Sequence, residues 1–332
     1  METWLSEDVF YRQDWRAKGV AEMSAEAPAS APFVGMLYLC VSLFPIPFQG
    51  LVMFGAIKSR LVRSRPAYFI MFVLSVVETG QLLIHASTGG FLIARQEIPE
   101  AINAALSHIM LPLWLSMVFL HVHLSMNRVF VITVNKCASS EGYCSYSNLL
   151  AGVCCVAGTV AGYGCHVDQM RFRLSIMAWA SNPDSSWLVT ALYYIQLFLP
   201  VVGIVNCLLI VCVIMKKRRR FQNNSNIIGS TEVRIFFHSS IAFFLTAANI
   251  FLWFPLNRLF NSVVIINVLV NLEWILICAL PPFLTLIFNT EIRDTILESF
   301  GEKARIFLLT DHQPKRLNNK CKLLGNGTGT PV

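Results

Sequence analysis

The chain has 332 residues, of which 55% are hydrophobic and 14% charged, and it carries a formal net charge of +7. A water-facing domain carries about 25% charged residues, so a soluble enzyme or soluble binding module of this size is excluded and lipid is expected as the main solvent. The apolar residues form one continuous set of long runs, which predicts a single domain in the membrane.

Residues 1–32 contain no apolar core of the kind a signal peptide needs, so the first apolar run is expected to direct insertion itself. A hydrocarbon layer about 30 Å thick requires about 20 residues of apolar helix. Seven segments reach or approach that length: 33–57, 66–94, 101–133, 149–166, 187–215, 233–254 and 262–288. The expected fold class is therefore an all-α membrane protein, a seven-transmembrane helix bundle. The fourth segment is the shortest and is open to an earlier start. Pro45, Pro47, Pro112, Pro200, Pro281 and Pro282 fall inside these runs and predict kinks, because neighbouring helices satisfy the carbonyls that each proline frees.

Along the chain, a few polar residues stand out against the apolar background, because an ionisable group at bilayer depth costs roughly 2.5–3.5 kcal/mol on insertion scales. Glu78, twelve residues into the second span, reads as a core polar site for an ion or proton. In the third span Trp114 is a candidate pocket residue. His121 and His123, two apart, point in nearly opposite directions on a helix and cannot chelate one ion together. The span ends in Asn127-Arg128-Val129, with further apolar residues to Thr133, so Arg128 lies deeper than a snorkelling anchor needs. Gly158 and Gly162 in the fourth span predict a close helix contact.

Tyr193 and Tyr194 of the fifth span, Asn249 and Trp253 of the sixth, and Asn267 and Asn271 of the seventh lie at a depth comparable to Trp114. Together they suit a mostly apolar ligand pocket with a few polar fixings; packing between helices is the other reading of each. Glu273 sits near the middle of the seventh span as a second core acid, functional or structural. It is two residues from Asn271, about 200° around the helix, so Asn267, Asn271 and Glu273 cannot all line one cavity. After the last span Ile292, Ile296, Phe300 and Phe307 recur at near-helical spacing to about Leu309, which predicts an amphipathic helix on the membrane surface. Residues 310–332 are polar and expected to be disordered.

Basic residues set the orientation. Lys58, Arg60, Arg63 and Arg65 follow the first span; Arg128 and Lys136 follow the third; Lys216, Lys217, Arg218, Arg219 and Arg220 follow the fifth. This side is expected to be cytosolic, which leaves the N-terminus (1–32) extracellular, the bundle with its juxtamembrane helix at 33–309, and the tail at 310–332 inside. The net positive charge is then a matter of topology and anionic lipid, and no nucleic-acid partner is expected. Of the ten cysteines only Cys165 approaches the outer face, so no structural disulfide is expected. No metal-ligand spacing, nucleophile elbow or phosphate-binding glycine loop is evident, so no metal, cofactor or enzymatic activity is expected.

These features resemble the rhodopsin-like receptor plan over about residues 33–309. Asn127-Arg128-Val129 stands where that family has an acidic residue, arginine and an aromatic. Glu78 matches its second-span acid, Pro200 its fifth-span proline and Pro282 its seventh-span proline. Pro281 and Thr285 replace the asparagine and tyrosine of the last span, the sixth span lacks Cys-Trp-x-Pro, and Asn103 stands in place of the disulfide cysteine. The seventh span has no lysine, which excludes a retinal Schiff base.

A closer resemblance is to the nematode serpentine chemoreceptors, especially classes T and X. It rests on Pro66-Ala67-Tyr68-Phe69-Ile70-Met71, Ser87-Thr88-Gly89-Gly90, Leu124-Ser125-Met126-Asn127-Arg128 and Arg234-Ile235-Phe236-Phe237-His238-Ser239-Ser240. The resemblance implies a chemosensory receptor at the plasma membrane, or in a sensory-cell cilium, with a heterotrimeric G protein and a small extracellular ligand as partners. Asn127, Arg128, Lys216, Lys217 and Arg218 would then carry coupling. The alternative is a ligand-gated channel or transporter of seven spans, with Glu78 and Glu273 along its route.

Overall fold

The computed structural model describes residues 28–134, 141–164, 170–181, 187–220, 230–253 and 264–301. The first span is two helices, α1 (Ala31–Leu43) and α2 (Ile46–Lys58), broken where Pro45 removes a backbone donor. A short turn of helix, α3 (Leu61–Ser64), leads to α4 (Pro66–Ala94), the second span. Arg65 is extended, as a residue before proline must be, and Pro66 occupies the first helical turn, where its missing N–H costs nothing. The third span is α5 (Glu100–Val134), which carries Pro112 in its interior. The fourth, α6 (Glu141–Gly164), begins eight residues before the apolar run predicted it; its first two turns are polar, and hydropathy alone does not see them.

A two-stranded antiparallel hairpin follows, β1 (Met170–Arg173) and β2 (Ala178–Ser181), pairing Phe172 with Trp179. Sequence reading gave no sign of it. The fifth span is α7 (Trp187–Arg220) and the sixth α8 (Ser230–Phe251). The seventh is broken into α9 (Val264–Ala279) and α10 (Pro281–Phe288) at the double proline. The amphipathic helix α11 (Thr290–Phe300) closes the described chain. The remainder of the predicted amphipathic stretch, including Phe307, lies outside the described residues.

Six of the seven spans are long and apolar enough by themselves to cross a bilayer; α8 contributes a shorter apolar stretch, Phe236–Phe251. The third span is the centre of the bundle, with 72% of its most apolar window buried, against 17% in the fourth and fifth spans. Val153, Val156 and Val160 of α6 and Leu208 and Leu209 of α7 are correspondingly exposed, an arrangement only hydrocarbon makes favourable. The predicted small-residue contact is present. A Cβ on Gly158 would lie 2.4 Å from Ser116 Oγ, and one on Gly162 2.7 Å from the Pro112 ring. Helix α11 docks by Ile292 and Ile296, both buried, against Gly55 of α2. The side chain of Asn289 caps its first turn by accepting from the Ile292 N–H at 3.2 Å.

Candidate functional site

At the hairpin end of the bundle, three residues on one face of α5 hold strand β1. The buried Asn103 donates to the Phe172 carbonyl at 2.9 Å and accepts from the Phe172 N–H at 3.0 Å. Ser107, one turn on, donates to the Met170 carbonyl, and Glu100 pairs with Arg171 at 2.8 Å. The turn is held separately: the Tyr38 hydroxyl lies 3.1 Å from the Met177 carbonyl and 3.3 Å from that of Val268 in α9. Phe172, Leu174, Met177 and Trp179 are all buried, so the hairpin forms part of the same core as the spans.

Beneath it lies an aromatic cluster centred on Trp274. Its ring meets Trp114 edge-on at 4.8 Å, Trp253 at 5.6 Å and His85 at 5.1 Å between centroids. Two glutamines fix the indoles: Trp274 Nε1 donates to Gln81 at 2.7 Å, and Trp114 Nε1 to Gln196 at 3.0 Å. Such a T-shaped set is rigid and mostly apolar, with these two indole N–H groups paired and both ring nitrogens of His85 buried without a hydrogen-bond partner among the described residues. Asn249 donates to the Glu273 carboxylate and reaches the Val270 carbonyl at 3.4 Å.

Of the predicted pocket residues, the structure brings Trp114 and Trp253 together and places Asn249 on Glu273. Asn271 is completely buried, Asn267 is half-buried, and Tyr194 is 49% exposed. The side chain of Tyr193 lies outside the described residues. Glu273 turns to α8, where Asn249 donates to it.

One turn toward the other end, Gln49 of α2 donates to Glu78 Oε2 at 3.0 Å and reaches the Cys278 carbonyl at 3.3 Å. Glu78 is fully buried and borders a cavity of about 20 Å³ whose walls include Ser75, His121, His238 and Thr285. His121 faces this cavity while His123 contacts the Ser147 carbonyl of α6 at 3.1 Å. The two therefore diverge, as their spacing predicts. No cluster of metal-ligating side chains is found among the described residues.

At the far end of α5, Arg128 is only 3% exposed and donates to Asn127 Oδ1 at 2.9 Å. Asn127 in turn donates to the Tyr143 hydroxyl at 2.7 Å and lies 3.3 Å from Ser147 Oγ. Arg65 pairs with Glu291 at 3.2 Å, tying α11 to the start of α4, and Lys58 donates to Ser299 at 2.8 Å. Lys216 is exposed near the end of α7. Lys217 and Arg218 continue that helix, and their side chains lie outside the described residues.

A buried arginine at the end of the central span, a carboxyl one helix away and a proline-broken last span followed by a surface helix form a familiar layout, and comparison with known proteins agrees. The family model "Serpentine type 7TM GPCR chemoreceptor Srt" matches residues 10–306. The chain belongs to this family of G-protein-coupled chemosensory receptors. Class T is thus the class matched, of the two that the motifs suggest. Squid rhodopsin shares the receptor's fold, with a TM-score of 0.68 over 88% of this chain and 90% of that one at 12% identity. No curated protein matches the receptor at significant similarity.

Sequence reasoning weighed acids, asparagines and other aromatics at this depth but passed over Trp274, Gln49, Gln81 and Gln196. Uncharged amides inside apolar runs carry a similar, weaker signal, since each must find a partner when buried. Nothing in the sequence marked Asn103 as a hairpin anchor beyond its place where a cysteine was expected.

Proposed function

We propose that the Arg128 end of the bundle faces the cytosol and couples to a heterotrimeric G protein, while a small extracellular ligand acts at the hairpin end. The observation that carries this is the burial of Arg128. A guanidinium only 3% exposed at the end of the central span, donating to Asn127, is expensive to bury without purpose. The ligand would settle against the Trp114, Trp253 and Trp274 cluster, with Asn249 and Glu273 as polar fixings, and favour a minor conformation in which the ends of α7 and α8 part. Arg128, Asn127, Lys216, Lys217 and Arg218 would then meet the G protein. Glu78 is the polar centre around which the spans rearrange. Family membership disfavours the channel or transporter alternative, and the receptor is proposed to act at the plasma membrane with an extracellular N-terminus.

The test is Arg128→Ala in cells carrying an epitope tag ahead of Met1. Loss of G-protein activation with unchanged surface staining of unpermeabilised cells supports the reading. Full activation by the variant removes Arg128 from coupling. Staining only after permeabilisation, or glycosylation at the Asn-x-Ser/Thr sites Asn223-Asn224-Ser225 and Asn326-Gly327-Thr328, which fall on the cytosolic side in this reading, reverses the orientation.

A further inference from the structure

The cavity beside Glu78 is lined by more unused polar atoms than packing explains. Glu78 Oε1, both ring nitrogens of His121 and Nδ1 of His238 are buried without a hydrogen-bond partner among the described residues. The three side chains are 1%, 3% and 5% exposed. A buried polar atom left unpaired is destabilising, so apolar residues would make a more stable bundle here. The cavity, about 20 Å³, has room for one water, which needs two to four polar partners. Four are present.

His238 also fixes its own tautomer. Its Nε2 lies 3.3 Å from the Pro281 carbonyl and 3.3 Å from Thr285 Oγ1. A carbonyl only accepts, so the hydrogen sits on Nε2 and the lone pair of Nδ1 is turned away from span seven. His238 thus clasps α8 to the proline break of the seventh span while keeping a basic nitrogen free.

We propose that this cavity is a proton-binding site shared by His121, His238 and Glu78 through one water, and that protons taken up there drive α8 away from α5. The elements around it supply these titratable or charged groups: Glu78 and Tyr68 from α4, His121 from α5, His238 from α8, Cys278 from α9 behind Glu78, and Glu291 of α11 beyond Tyr68. Arg128 lies two turns along α5 and adds positive charge on the same side. Inside the cavity there is at most one negative charge, on Glu78, and two imidazoles. One imidazolium beside a carboxylate is neutral overall. A second has no counter-charge and faces the first across the gap between α5 and α8. Separation of the two helices admits water and relieves that repulsion. No covalent bond changes; each proton comes from solvent and rests on a ring nitrogen.

The proposal rests on the coupling reading above only for its consequence in signalling, so the experiment reads conformation and coupling separately. The full-length receptor is placed in phosphatidylcholine nanodiscs with a spin label at the Arg128 end of α5 and another at the matching end of α8. Their distance distribution is recorded between about pH 5.5 and 7.5, the range over which histidine ordinarily titrates. Nucleotide exchange on a purified heterotrimer is followed in parallel. Acidification is expected to raise the separated population, by up to about 10-fold per pH unit for each proton taken up. His121→Gln and His238→Gln each lower the slope, and the double variant is flat. A wild-type distance that ignores pH overturns the proposal, as does a double variant that keeps the wild-type slope. Glu78→Gln, which leaves both imidazoles without a counter-charge, shifts the transition toward neutral pH; a shift toward acid overturns the charge argument. Separation without nucleotide exchange leaves the proton site standing and sinks the coupling reading instead.

Discussion

Asn103 grips the main chain of Phe172 from both sides, donating to its carbonyl at 2.9 Å and accepting from its N–H at 3.0 Å across 69 residues of sequence. A rhodopsin-like receptor would be expected to place a disulfide cysteine here. A carboxamide does a comparable tethering job without a covalent bond, because its adjacent donor and acceptor match those of a single residue in an extended strand.

Removal of that side chain should therefore be costly. Asn103→Ala leaves both Phe172 groups unpaired in a buried setting, for about 2–4 kcal/mol. The expected outcome is a lower melting temperature in detergent, with faster amide hydrogen exchange at residues 170–173 than in the rest of the bundle. Exchange that rises equally everywhere would mean that Asn103 supports the fold at large and does not anchor the hairpin.

The aromatic cluster separates packing from hydrogen bonding. Trp274→Ala removes the ring that Trp114, Trp253 and His85 share, and should cost about 3–5 kcal/mol. Trp274→Phe keeps most of that packing and strands Gln81 Oε1, at about 1–3 kcal/mol. Thermal unfolding of the two variants should rank them in that order.

Gly158 tests how closely the third and fourth spans approach. A Cβ there would meet Ser116 Oγ at 2.4 Å, but also Ser116 N at 2.5 Å and Cα at 2.7 Å. Gly158→Val should therefore destabilise by about 1–3 kcal/mol or more, and Ser116→Gly should not rescue it, because main chain is in the way. Recovery of normal surface expression in the double variant would show that only the hydroxyl was in contact.

The amphipathic helix is held by burial more than by charge. Arg65 and Glu291 are 43% and 37% exposed, so Glu291→Gln should cost less than about 1 kcal/mol. Ile296, 7% exposed against Gly55, is different: Ile296→Asp should cost about 2 kcal/mol or more and release residues 290–300 to protease. Equal protease protection in both variants would contradict this ranking.

Much of the architecture was legible in the sequence because the bilayer imposes its conditions on each segment separately. Residues 66–94 were read as a helix with the bounds the structure shows; Pro66 begins it and the apolar run continues until Arg95 takes a left-handed conformation. Glu78 was recognisable as a core group by depth alone, and Ile292 and Ile296 by spacing. The reading is least sharp where that local condition is weak: at the polar first turns of α6, and at α8, expected over 233–254 and found as Ser230–Phe251.

Lipid thickness and hydropathy, then, let the sequence by itself determine that this chain is a bundle of seven membrane-crossing helices with a surface helix behind them. Only the tertiary structure decided which polar side chains meet: Gln49 with Glu78, Asn249 with Glu273, His121 and His238 across one cavity, Asn103 with a strand that hydropathy does not register. The reason is rotational. An all-apolar helix has no strong polar face to fix its angle about its own axis, so that angle is settled by packing against neighbours far away in the chain.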